Sequence, residues 1–263
     1  MEVRKYKTTA ALSASLVALL LLTGTAHAAL GTVEARFVDL DPGGYPAGVF
    51  TFKRTGSLVN DTFDGVLLSN SPAGTFVGIC LELNEGIARA PSGPFVWNVQ
   101  ALADSPDHAD GMPHLASGMG SLRADRLARL VGGAVGGYLP NAYALTPVQQ
   151  VALQMAVWEI VFETDSTLNV TDGNIRVGSS TLGYGTTGGY PGFGTQTPEV
   201  TTQANTWLGL LNTYTPARNL LGMTWDGRQD FLVQTVPIPP AAWLLGSGLL
   251  GLFVVARGKK TAA

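Results

Sequence analysis

The sequence predicts an α+β fold in which a β-rich N-terminal half packs on a helical segment. Three observations carry that expectation. Apolar residues alternate with period two in several stretches before residue 102, and a helical period replaces the alternation from Ser121 onward. Charged residues make up only 13% of 263, against 33 glycines, a balance that suits an exported β-containing surface protein. The formal net charge of −3 leaves no basic surface for nucleic acid.

The strands come first. "TVEARFVDL" (32–40) puts Val33, Ala35 and Phe37 on one side, with Val38 breaking the alternation. "GVFTFKR" (48–54) alternates strictly through Phe50 and Phe52. "GTFVGICLEL" (74–83) sets Phe76, Gly78 and Cys80 on one face, and "PFVWNVQAL" (94–102) reads as a further strand. The helices follow. "LRADRLARLVGGAV" repeats Leu122, Leu127, Leu130 and Val131 at helical spacing, and Gly132-Gly133 is expected to weaken its end. Thr146, Pro147 and Gln149 supply an N-cap, a first-turn proline and a capping box for a helix running to about Phe162 or Glu163. "NVTDGNIRVG" reads as a hairpin around Asp172-Gly173, "GYGTTGGYPGFGTQTPE" as a Gly-rich loop, residues 199–214 as an amphipathic helix and residues 230–236 as a last strand.

Both ends carry export signals. Arg4, Lys5 and Lys7, the apolar run from Ala10 to Leu22, and Ala26-His27-Ala28 have the order of a signal peptide, so residues 1–28 are expected to be removed. A domain over residues 29–235 then stays out of the reducing cytoplasm. At the other end stand "VPIPP" (236–240), an apolar run over 241–256 containing Trp243, and the basic residues Arg257, Lys259 and Lys260. The run suits a short membrane helix with its basic tail inside. Gly246, Ser247, Gly248 and Gly251 give it a small-residue face. This end, residues 236–263, resembles a PEP-CTERM sorting signal of Gram-negative bacteria, with Val236-Pro237-Ile238-Pro239 in the place of the commoner Val-Pro-Glu-Pro. The resemblance implies an exosortase-type membrane protease as partner, a transient stay in the inner membrane, and release to the cell surface or extracellular matrix.

"VALQMAVWEI" (151–160) holds a carboxamide, Gln154, in an otherwise apolar stretch that closes on Glu159. Burying it costs free energy unless something satisfies it. Gln150, Gln154 and Trp158 share one helical face at i, i+4 and i+8. Two readings stand open. Gln154 is a buried glutamine bonded to backbone, as most buried polar groups are. Alternatively its partner is Cys80, the one cysteine of the chain, and the two form an internal thioester with loss of ammonia. Such an acyl group must be kept from water, and Trp158 with Met155 is expected to shield it. Cys80 alone also fits a small buried hydrophobe.

Ile79-Cys80-Leu81 followed by Leu153-Gln154-Met155-Ala156-Val157-Trp158 resembles the bacterial surface thioester domains of adhesins. The Thr or Ser usual before that Gln is absent, since Leu153 precedes it. The resemblance implies a mixed β and helical fold with the Cys–Gln bond at the junction, capturing surface amines covalently. The alternative is a structural matrix protein that binds without a thioester, polysaccharide being one target for its aromatic Gly-rich loop. No catalytic turnover and no cofactor are expected. Asp104, Asp107, His108, Asp110 and His114 gather oxygen and nitrogen ligands in one stretch, but in an order that matches no calcium loop. A solvated polar loop is the expectation there. Pairing of Cys80 with His108 or His114 for nucleophilic catalysis has no local signature to support it.

Overall fold

The computed structural model describes residues 29–41, 48–56, 59–67, 74–82, 92–106, 115, 117–164, 166–172, 175–177, 182–184, 198–225 and 227–236. Its strands are β1 (Gly31–Asp41), β2 (Val49–Arg54), β3 (Val66–Leu67), β4 (Thr75–Cys80), β5 (Ser92–Ala101), β6 (Ile175–Val177), β7 (Leu182–Tyr184), β8 (Leu220–Trp225) and β9 (Arg228–Val236). The α-helices are α1 (Gly120–Val135), α2 (Pro147–Phe162) and α3 (Pro198–Gly209). The hydrogen-bonded order β9-β4-β2-β1-β5-β8 closes on itself because β8 also pairs with β9, giving a six-stranded antiparallel barrel with β3 appended to β9. Closure leaves these six strands no free sheet edge along most of their length.

The mixed class holds, but the strands are not confined to the first half. The last two described strands close the barrel. Sequence reading placed β9 and missed β8, where "LLGMTW" is interrupted by Gly222. That glycine is there for close approach: a Cβ on it would stand 1.7 Å from Ser105 Oγ.

Alternation explains what fills the barrel. Phe37, Phe50, Phe52, Phe76, Trp97 and Phe231 are all buried. Their rings meet from 4.7 Å (Phe52–Phe231) to 5.9 Å (Phe52–Trp97) between centroids. A six-stranded barrel is filled by its own side chains rather than left as a pore. Gly78 belongs to this inward row, since a Cβ there would press on Phe52 and Phe231 at 2.9 and 3.3 Å. Phe76 and Cys80, two residues to either side, therefore face the same way. The break at Val38 falls where the pairing of β1 with β2 shifts between Phe37 and Asp39, a bulge.

Helix α2 packs against β4 of the barrel and against both α1 and α3. Helix α1 continues through Gly132-Gly133 and ends at Val135, where Gly136 takes the left-handed cap at φ +67°. The two glycines serve packing instead of termination. A Cβ on Gly132 would lie 1.9 Å from the Thr215 carbonyl oxygen, and one on Gly133 2.2 Å from the Tyr214 ring. Leu127, Leu130 and Val131 are buried as their spacing implies, but Leu122 is 65% exposed on the outer side of the first turn. Helix α3 ends at Gly209, and a short 3-10 turn covers Leu211–Thr213. The hairpin expected around Asp172-Gly173 is displaced. Asp172 N–H closes a turn on the Asn169 carbonyl, and β6 pairs instead with β7, whose Gly183 and Tyr184 open the stretch read as a Gly-rich loop.

Among the described residues no helix is long and apolar enough to cross a membrane. Residues 1–28 and 237–263, where the sequence leads one to expect a signal peptide, a membrane run and a basic tail, lie outside the described residues. So do Asp107, His108, Asp110 and His114. Val236, the first residue of the expected sorting motif, is the final residue of β9.

Candidate functional site

The site forms where α2 meets the end of β4. The helix begins as its sequence requires: Thr146 Oγ1 accepts from Gln149 N–H at 3.4 Å, and Gln149 Oε1 accepts from Thr146 N–H at 3.0 Å. From Gln150 to Phe162 every residue is buried, because the helix is enclosed between the barrel and its helical neighbours. A helix buried all round has no solvent face on which to put a polar residue. Gln150, Gln154 and Glu159 must each find partners inside.

Gln154, with no exposed surface, finds them on Cys80. Its Oε1 accepts from the Cys80 backbone N–H at 3.0 Å, and its Nε2 donates to the Cys80 carbonyl at 2.8 Å. Strand register explains why those backbone groups are available. Leu81 N–H donates to the Asp230 carbonyl of β9 at 2.8 Å. Backbone groups of successive strand residues point to opposite sides, so those of Cys80 point toward β2. But the pairing of β2 with β4 stops at Phe50 opposite Gly78, and β2 itself begins at Val49. Cys80 thus lies on a short stretch of open edge, and the carboxamide takes the place of the next peptide of β2. The same contact sets the acyl carbon of Gln154 beside the residue that bears the thiol.

Cys80 is buried and free of any disulfide. Burial pushes its thiol well above the ordinary cysteine range, and the nearby Glu82 carboxylate pushes it further. A resident thiolate of the kind cysteine hydrolases use is therefore disfavoured at neutral pH. Glu82 follows Cys80 by two residues and is itself buried. Its Oε2 accepts from Asp230 N–H at 3.1 Å, and its carbonyl accepts from Gln229 Nε2. Asp230 in turn accepts from Trp225 N–H at 3.0 Å. Sequence reading passed over Glu82, although an acid two residues beyond a strand cysteine shares its face.

The other positions of the Gln-x-Ala-x-Trp-Glu segment have visible places. Met155, Ala156 and Trp158 are buried, Trp158 one turn beyond Gln154. Glu159 is structural: its Oε1 accepts from Asn169 N–H at 2.6 Å. Asn169 Oδ1 accepts from Asn205 Nδ2 at 2.8 Å, which ties α2 to α3.

Gln150, one turn before Gln154, goes elsewhere. Its Nε2 donates to Asp41 Oδ2 at 3.0 Å and to the Ala142 carbonyl at 3.2 Å. Its Oε1 is buried and has no hydrogen-bond partner among the described residues. Beside it Tyr143 OH bonds Thr51 Oγ1, and burial first, then the charges of Asp41 and Asp39, raise the Tyr143 phenol. No group of three His, Cys, Asp or Glu among the described residues is placed to hold a metal ion. An open cavity of about 560 Å³ lies between the end of α1, the 215–219 segment and the end of β9, and shares no lining residue with the Cys80–Gln154 contact. No protein family model matches the chain, and neither curated proteins nor solved structures give a match to it.

Proposed function

We propose that the chain is an exported cell-surface or matrix protein that couples covalently to amines through a thioester between Cys80 and Gln154. The observation that supports this reading most is the two-point hold of the Gln154 carboxamide on Cys80, deep in a site from which water is excluded. Holding two reacting groups together replaces a bimolecular encounter and lowers the barrier accordingly. In the first step Cys80 Sγ attacks Cδ of Gln154, the Cδ–Nε2 bond breaks, and the thiol proton leaves with the nitrogen as ammonia. In the second an incoming amine attacks Cδ, the C–S bond breaks, and the proton given up by the amine restores the thiol. Each molecule reacts once, so this is capture and not turnover. Trp158 and Met155 keep water from the acyl carbon until the amine arrives.

Delivery belongs to the same reading. The first 28 residues direct export, and residues 236–263 hold the chain in the inner membrane until an exosortase-type protease releases it to the surface. A second reading, a matrix protein without a thioester, draws on the same hydrogen bonds: with both polar atoms of Gln154 satisfied, the residue is stable as a plain buried amide.

Intact mass separates the two. The secreted protein should weigh one ammonia less than its mature sequence, and methylamine should add its own mass to that species and release a titratable Cys80 thiol. Cys80→Ala and Gln154→Ala should each abolish both changes, while Gln150→Ala should abolish neither. A native mass equal to the sequence mass, with Cys80 alkylated on unfolding and no methylamine adduct, would leave the matrix reading.

A further inference from the structure

We infer that Asp41 and Gln150 form a receiving site for an ammonium group, through which a cationic amine reaches the acyl carbon of Gln154. The inference rests on the thioester reading and adds to it the group that selects the nucleophile. It begins with the unpartnered Oε1 of Gln150, a residue only 2% exposed. The orientation of that carboxamide is fixed by its neighbours. Asp41 Oδ2 and the Ala142 carbonyl are both acceptors, so the NH₂ end must face them and Oε1 must face away. A buried acceptor without a donor costs free energy, and the group that would relieve it is an N–H donor.

The surroundings say what kind of donor. Asp39 and Asp41 lie on β1 opposite Thr51 and Val49 of β2, and both are exposed. Tyr143 is half-buried and Gln150 buried. Acceptors therefore run inward from solvent, from a carboxylate at the surface to an amide oxygen one helical turn, about 6 Å, from Gln154. A carboxylate attracts a positive charge, and an ammonium with three N–H groups can bond the carboxylate and the amide oxygen together. Register puts this at the right end of the barrel. Asp41 pairs with Val49, and Val49 precedes the residue that pairs with Gly78, two residues from Cys80.

The proton count closes. An ammonium cannot attack Cδ until it loses one proton, which passes to water at the exposed end of the site. The neutral amine then attacks, the C–S bond breaks, and the second nitrogen proton goes to Sγ.

The test compares two nucleophiles on the full secreted protein. Methylamine is a cation at neutral pH and hydroxylamine is mostly neutral, and both add to Gln154 with a mass change. Asp41→Asn should slow methylamine about tenfold, the effect of roughly one and a half kcal/mol of lost attraction. It should leave hydroxylamine within about twofold and the starting ammonia deficit unchanged, and Asp41→Glu should restore the methylamine rate. Salt gives a second reading that needs no variant: in the wild type, raising ionic strength should slow methylamine and spare hydroxylamine. Equal effects on both nucleophiles, or no salt dependence, would make Asp41 a structural partner of Gln150 and overturn the inference while the thioester stands. A wild-type protein with no ammonia deficit would overturn both.

Discussion

Replacing Gln154 by Leu in a Cys80→Ala background isolates what the carboxamide does for the fold, since without the thiol no acyl chemistry can occur. Leu fills most of the same volume and makes no hydrogen bond. The Cys80 position keeps a buried N–H and a buried carbonyl, bonded in the wild type to Gln154 at 3.0 and 2.8 Å. Neither can turn to β2, whose pairing has stopped at Phe50. Each of the two orphaned buried groups costs about 1–3 kcal/mol, and the apolar surface gained returns about 1 kcal/mol, so the net loss is about 1–5 kcal/mol. Gln150→Leu in the same background supplies the control. It removes an Oε1 that is already unpartnered, frees an exposed Asp41 carboxylate that water can solvate, and leaves the Ala142 carbonyl its bond from Leu145 N–H. Its cost should stay below about 1 kcal/mol. Urea unfolding of the single and double variants, extrapolated linearly, measures both numbers. Equal costs at the two glutamines, or a Gln154→Leu cost under about 1 kcal/mol, would refute the argument that this carboxamide stands in for a strand.

Two further outcomes follow from the same structure and sequence. The Cys80 thiol is raised by burial and by Glu82, so in protein whose thiol is free its folded value lies above the unfolded one. That contributes stability which is complete below the unfolded cysteine value, about 8.5, and is lost as pH rises from there toward the folded value. Unfolding free energies measured from pH 7 upward should therefore fall more steeply for the free-thiol protein than for Cys80→Ala; parallel curves would contradict the shift. For export, the mature N-terminus should be Ala29, and deleting residues 236–239 should hold the protein in the inner membrane of a host with the matching protease. N-terminal sequencing and fractionation decide this, and surface delivery at the wild-type level would exclude the sorting reading.

How far the fold was legible depends on whether each signal was local. Helix α2 was placed almost to the residue because Thr146, Pro147 and Gln149 specify its start chemically, and an unbroken apolar run specifies its body. The strands with strict alternation were equally plain. Two of the failures share a cause, which is glycine acting through tertiary contact. Gly132-Gly133 and Gly222 look like interruptions in sequence, and each is where another part of the chain comes within a Cβ's reach. Barrel closure by β8 joins segments far apart in the chain, and no local pattern encodes it. The site divides the same way. A lone cysteine and the single amide within the apolar run 151–160 point to each other by scarcity. Asp41 reaches Gln150 across 109 residues, and nothing in the sequence links them.

The place of Gln154 also bears on why an amine and not water would be the productive acceptor in the proposed chemistry. Thioester formation expels Nε2, the atom that donates to the Cys80 carbonyl at 2.8 Å. The strand end therefore loses one hydrogen bond for every acyl bond gained, and the reactive state is held against a cost of about 0.5–1.5 kcal/mol. Reaction with an amine returns a neutral amide at a fully buried position, its oxygen still able to accept from Cys80 N–H. Hydrolysis instead leaves a carboxylate there, with an oxygen turned on the Cys80 carbonyl, an acceptor that cannot donate to it. An ionised carboxylate buried without a partner is costly, so it would have to take up a proton to remain in place. The backbone that positions the glutamine thus favours the neutral product. What it does for specificity is to make capture by nitrogen more compatible with the folded barrel than loss to water.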